Sequence, residues 1–126
     1  MLGFGNRTQN ANASLVWGTG NEVTNSIEKV KFSTDWNKTS ASDAQKEIIK
    51  AMQSSDQYAG GSVMAIGGGN KADWAIYPQL LGVQNTLTGT EKDVSKLTLI
   101  NGYKNTVTNA QNTTIIGSNN TATNIK

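Results

Sequence analysis

The chain has 126 residues and contains neither histidine nor cysteine. Those two absences remove most of the chemistry a protein of this size could carry. A serine or cysteine nucleophile activated by histidine is excluded, and so are the common zinc sites. Gly67-Gly68-Gly69-Asn70-Lys71 superficially resembles a phosphate loop, but it lacks the Gly-x-x-x-x-Gly-Lys-Ser/Thr spacing that wraps backbone N–H groups around phosphates. No Gly-Gly-x-Gly-x-Asp run supplies calcium-binding turns. Carboxylates offer the one enzymatic reading: Asp35, Asp43, Glu91 and Asp93 could meet as a pair about 5 to 9.5 Å apart and cleave a glycosidic bond. As solvated loop charges they would do nothing. Eleven Lys and Arg against nine Asp and Glu, scattered along the chain, form no nucleic-acid-binding stripe. The sequence thus predicts no catalytic residue, no cofactor and no metal.

Recognition is the chemistry that remains, and aromatic residues are its usual instruments. Trp36 is the first candidate for ligand contact, with packing of a local helix as its plainer role. Tyr103 sits in a turn and is the second candidate. Trp17 and Trp74 lie in or beside strand positions, which points to packing within or between chains.

What must position these residues is a repeat. Gly3 to Asn6, Gly18 to Asn21, Gly67 to Asn70, Gly82 to Asn85, Gly102 to Asn105 and Gly117 to Asn120 each read Gly-x-x-Asn, and a small or branched residue follows two positions later. Successive glycines are 15, 49, 15, 20 and 15 residues apart. One unit of 15 with insertions of 34 and 5 accounts for every spacing. A short fixed period marks units that cannot bury their own face and must stack on the next.

Short apolar runs precede the glycines, such as Leu15 to Trp17, Val63 to Ile66, Leu97 to Ile100 and Ile115 with Ile116, and read as strands. Each Gly-x-x-Asn tetrad reads as a tight turn, with glycine accepting positive φ and asparagine tolerating the left-handed region. A second short strand follows and places Val23, Ala72, Leu87, Val107 and Ala122 on one face. Two strands and two turns per unit predict an all-β solenoid of six coils, roughly 25 to 30 Å long at the usual strand spacing. Val16 with Trp17, Ala65 with Ile66, Leu80 with Leu81 and Ile115 with Ile116 are apolar on both faces of the strand. One face fills the coil; the other needs a second copy of the chain, or a covering loop. Thr86-x-Thr88, Thr106-x-Thr108 and Thr121-x-Thr123 predict an outward threonine column of the kind that could order ice, although threonine is also an ordinary exposed strand residue.

The chain reads as a single domain, with coils over 1–25 and 60–126 and an insertion over 26–59. Within the insertion, Ser40 to Ser55 predicts a helix whose apolar stripe of Ala41, Ala44, Ile48, Ala51 and Met52 docks on the flank of the coils. Ser42 with Gln45 suggests its capping box. No run of 18 or more apolar residues is present, and Met1 to Gly5 lacks the basic and apolar regions of a signal peptide.

Gly61-Ser62-Val63-Met64-Ala65-Ile66-Gly67-Gly68-Gly69-Asn70-Lys71-Ala72 and Asn112-Thr113-Thr114-Ile115-Ile116-Gly117-Ser118-Asn119-Asn120-Thr121-Ala122 resemble the head repeats of YadA-type trimeric autotransporter adhesins. The family unit reads approximately Asn-Ser-Val-Ala-Ile-Gly-x-x-Ser/Asn-x-Ala. Similarity covers the coils and not the long insertion, and this chain departs by carrying Asn at the Ser/Asn position throughout. The resemblance implies a left-handed parallel β-roll with one inserted helix, assembled as a homotrimer on the bacterial surface. It further implies a non-catalytic head that binds a host or neighbouring-cell protein or glycan, held at the outer membrane through regions absent from this chain. This segment itself would neither insert into a membrane nor bind nucleic acid. The alternatives from other classes are a trimeric polysaccharide-processing β-helix and a purely structural spacer.

Overall fold

The computed structural model of the chain describes residues 1–28, 40–53 and 60–125. Its strands are β1 (Leu2–Phe4), β2 (Arg7–Ala11), β3 (Leu15–Thr19), β4 (Glu22–Ser26), β5 (Met64–Gly68), β6 (Lys71–Asp73), β7 (Ala75–Ile76), β8 (Gln79–Val83), β9 (Thr86–Thr88), β10 (Ser95–Lys96), β11 (Leu99–Tyr103), β12 (Thr106–Thr108), β13 (Thr114–Ser118) and β14 (Thr121–Thr123). One helix, α1 (Ala41–Gln53), lies in the long insertion. All the ladders are parallel, and the chain winds between two six-stranded sheets. Sheet one runs β1-β3-β5-β8-β11-β13, and sheet two runs β2-β4-β6-β9-β12-β14. Each of the six repeats contributes one strand to each sheet, as the spacing predicts.

Repeat residues align coil on coil. Gly3 pairs with Gly18, Gly18 with Gly67, Gly67 with Gly82, Gly82 with Gly102 and Gly102 with Gly117. The column needs glycine for contact as well as for φ. A Cβ on Gly18 would lie 1.8 Å from the carbonyl oxygen of Gly67, inside any tolerable contact.

The asparagines do a different job from the one expected of them. None of the six sits at positive φ; the left-handed residue is the third of each tetrad, namely Gly5, Gly20, Gly69, Gln84, Lys104 and Asn119. The asparagine side chains turn inward and form a continuous amide ladder. Asn85 Nδ2 donates to Asn70 Oδ1 at 3.1 Å and to the Gly102 carbonyl at 2.9 Å, while Asn85 Oδ1 accepts from the Nδ2 of Asn105 at 3.0 Å. Equivalent bonds join Asn6 to Asn21, Asn21 to Asn70 and Asn105 to Asn120. Asn21, Asn70, Asn85 and Asn105 are all fully buried. A buried amide is tolerable only when both its ends are bonded, and stacking satisfies both ends at once.

Each coil has three sides rather than two. After sheet two the chain turns at a second corner, where Asn10, Asn25, Trp74, Asn109 and Asn124 all have φ between 50 and 56°. A short third side follows, with β7 and β10 paired in parallel. A third corner then returns to sheet one through Ala13, Ser62, Tyr77, Leu97 and Asn112, again at positive φ. Inside the third side, Ser26, Ala75, Ser95 and Ala110 stack fully buried. Ser26 Oγ donates to the Thr24 carbonyl and accepts the Ala75 N–H, so the two serines carry their hydroxyls into the core with partners.

The thin interior is filled by Val16, Ala65, Leu80 and Ile100 from sheet one and by Val23, Ala72, Leu87 and Val107 from sheet two. Each fully buried Val, Leu or Ile contributes about 1.5–3 kcal/mol through removal from water. The long insertion leaves after Ser26 at the end of β4, which stays in register with Ala11 of β2. Asn12 clips both of its ends: the side chain donates to the Glu28 carbonyl at 2.7 Å and accepts the Gly61 N–H at 2.7 Å. The cap of α1 is Ser40, not Ser42; Ser40 Oγ accepts the Asp43 N–H and the Ser40 carbonyl accepts the Ala44 N–H. Among the described residues α1 has no broad packing against any strand, and the side chains of Ile48, Ala51 and Met52, on which the expected docking depends, lie outside the described residues. Ala41 on that stripe is exposed and Ile49 is 47% exposed.

Candidate interaction surface

The two sheets present opposite chemistry to their surroundings. Alternation turns every second residue of sheet one outward in three columns. The central column is Leu2, Trp17, Ile66, Leu81, Asn101 and Ile116, in register across all six coils. Leu2, Trp17 and Ile116 are 58%, 55% and 73% exposed. Flanking it on one side are Leu15, Met64, Gln79, Leu99 and Thr114, and on the other Phe4, Thr19, Gly68, Val83, Tyr103 and Ser118. None of these outward positions is charged.

Sheet two turns out Arg7, Glu22, Lys71, Thr86, Thr106 and Thr121 in one column and Gln9, Thr24, Asp73, Thr88, Thr108 and Thr123 in the other. That face is polar throughout, with an Arg7–Glu22 ion pair at 2.7 Å. The three Thr-x-Thr pairs are aligned in register, and the column is broken in the first three coils by Gln9, Glu22, Lys71 and Asp73. An uncharged face whose central column is apolar except at Asn101 is a composition more common at interface centres than on solvated sheets.

Of the two residues expected to contact a ligand, Trp36 lies outside the described residues. Tyr103 closes β11 on the outer face of sheet one, 43% exposed, with the Lys104 ammonium 5.1 Å from its ring centroid. Trp17 is no part of the core of this chain and instead projects from sheet one. Trp74 occupies the second corner. All twelve repeat residues, Gly3 through Asn120, serve the stacking of coils. Asp35 lies outside the described residues, Asp43 is on α1, and Glu91 and Asp93 are in the short loop after β9. Among the described residues no three Asp or Glu side chains gather to hold a metal ion, and no helix is long and apolar enough to cross a membrane.

Reading the sequence alone overlooked a second recurrence. Asn10 and Asn25 are 15 residues apart, as are Asn109 and Asn124, and each pair is joined through its side chains at 3.2 Å. Coils three and four interrupt this outer ladder with Trp74 and Gly89. Among the described residues Asn109 Oδ1 is buried without a partner, and Gly89, one coil below, has no side chain to reach it. The same spacing of 15 that revealed the first ladder was the signal available for the second.

Compared with known proteins, the chain matches no family model, no curated protein and no solved structure.

Proposed function

We propose that the chain is the head of a bacterial surface adhesin, a left-handed parallel β-roll that assembles as a homotrimer through sheet one. It binds a protein or glycan of a host or neighbouring cell without catalysis, and it is held at the cell surface through regions outside this chain. The observation that carries the reading is the uncharged outer face of sheet one, set beside a fully polar sheet two. Three copies packed about an axis would each bury Leu2, Trp17, Ile66, Leu81 and Ile116, the residues that otherwise leave apolar area in water. The likeness of the coils to adhesin head units, and not the repeat by itself, supports the number of copies and the surface location.

Light scattering after size exclusion tests the assembly. Three chain masses at tens of micromolar protein are expected, and a stable monomer would remove the reading. Ile116→Lys combined with Trp17→Lys should give folded monomers, because a lysine ammonium buried without a partner in a dry interface costs several kcal/mol. Both positions are more than half exposed within one chain, so neither change disturbs the coil itself. Attachment of beads coated with the wild-type and double-variant proteins to epithelial or bacterial cells then tests adhesion directly.

A further inference from the structure

Trp74 stands in a place built for a different residue. At the second corner the other coils place Asn10, Asn25, Gly89, Asn109 and Asn124, and asparagine takes the left-handed region with little strain. A bulky aromatic at φ 52° is a true outlier, and such strain persists only where the surroundings over-determine it. The substitution also breaks the outer amide ladder. Asn25 Nδ2, which would meet an asparagine in the third coil, donates instead to Asp73 Oδ1 at 3.0 Å, where Thr24 Oγ1 also donates at 2.7 Å.

Beside the indole lies an open cleft of about 210 Å³ whose described lining residues are Asn10, Asn25, Ile27 and Trp74. Ile27 is 57% exposed, so the apolar wall of the cleft is in contact with water. The Asn10 side chain has one hydrogen bond among the described residues, its donation to Asn25 Oδ1. Its own Oδ1 is therefore open to a donor from a ligand. One flat indole, one aliphatic wall and two amides offering both donors and acceptors match a pyranose ring, which has an apolar C–H face and a rim of hydroxyls. The described lining residues include no cation, and the neighbouring Asp73 carboxylate disfavours an anionic sugar.

We propose that this cleft binds a neutral saccharide, with the ring stacked on Trp74 and its hydroxyls bonded to Asn10 and Asn25. The inference rests on the adhesin reading for its purpose and names the ligand class of that head. It is compatible with assembly, because the second corner joins the two sides of the coil that exclude sheet one. Pairing through sheet one leaves the cleft facing outward.

The test uses lactose and triacetylchitotriose as neutral probes and 3′-sialyllactose as the anionic one, titrated into the full chain and into its variant and followed through the side-chain amide resonances of Asn10 and Asn25. The expected result is a Kd of about 1 mM or tighter for at least one neutral probe, and weaker binding of the sialylated one. Trp74→Asn restores the residue found at four other coils. It should lose at least tenfold in affinity while its unfolding midpoint stays level or rises. Absence of binding by every neutral probe, undiminished binding by Trp74→Asn, or a lowered midpoint for that variant would each overturn the proposal, the last by making Trp74 a packing residue. Solution mass measured on the same samples separates this failure from a failure of the trimer.

Discussion

Replacing Asn85 by alanine asks how much the inner amide ladder contributes to the fold. In the wild-type chain this fully buried side chain donates to Asn70 Oδ1 at 3.1 Å and to the Gly102 carbonyl at 2.9 Å, and it accepts from Asn105 Nδ2 at 3.0 Å and the Asn105 N–H at 3.3 Å. Alanine forfeits two or three net bonds at about 1 kcal/mol each and strands one or two buried polar groups at about 1–3 kcal/mol each. Since part of the stranded cost is relieved by local adjustment, the expected loss is about 3–5 kcal/mol. In a domain of this size that lowers the thermal midpoint by about 10–20 °C. Asn120 is the internal control. It is exposed at the last coil, its side chain donates to Asn105 Oδ1 at 3.1 Å, and water can replace that donor, so Asn120→Ala should cost about 1 kcal/mol. Urea titration followed by far-UV circular dichroism, at fixed protein concentration to hold any assembly equilibrium constant, measures both. Equal losses at the two positions, or a loss below about 1 kcal/mol at Asn85, would show that the ladder is an incidental product of coil stacking and not a source of stability.

The glycine column makes a steric prediction of the same kind. Gly102→Ala would put a Cβ 1.7 Å from the Gly117 carbonyl oxygen and should force the fifth and sixth coils apart, at a cost above about 4 kcal/mol or with loss of soluble protein. Gly20→Ala has no neighbour closer than 4.0 Å and suffers only its left-handed φ of 67°, so about 1–2 kcal/mol is expected from the same urea titration. Ser40→Ala removes the helix cap and should cost about 1 kcal/mol of local helix stability. In that variant hydrogen exchange should quicken in α1 while the strands keep their protection.

The strands and their stacking order were legible in the sequence because the constraint that sets them is chemical and repeats. No Cβ survives a carbonyl oxygen at about 2 Å or less, so glycine must be written into each coil that has another stacked on its carbonyl side. The paired apolar residues before four of the glycines were legible too, as one inward and one outward member. What asparagine does was not, since its identity is compatible with either a left-handed turn or a buried amide, and only the direction of its side chain decides. The true left-handed position of the first corner holds glycine in three coils and Gln84, Lys104 and Asn119 in the other three, and so leaves no consistent trace in composition. The third side escaped notice because its strands are two residues long and its inward residues are Ala and Ser, which mark no particular element. The helix cap was misplaced by two residues for a related reason: Ser40 and Ser42 both offer a hydroxyl, and the choice between them depends on where the backbone first becomes helical.

Asn21 and Asn70 are 49 residues apart in the chain and their side chains meet at 3.1 Å; Asn70 and Asn85 are 15 apart and meet at 3.1 Å; Asn85 and Asn105 are 20 apart and meet at 3.0 Å. The bond between coils has the same length whatever has been threaded between them. Cargo is therefore uncoupled from chassis: a segment spliced in at a second or third corner leaves the register of the next coil intact, provided its ends return to a clip such as Asn12. Such a molecule can exchange what it displays without relearning how to fold, and those two corners are where a foreign loop can be grafted.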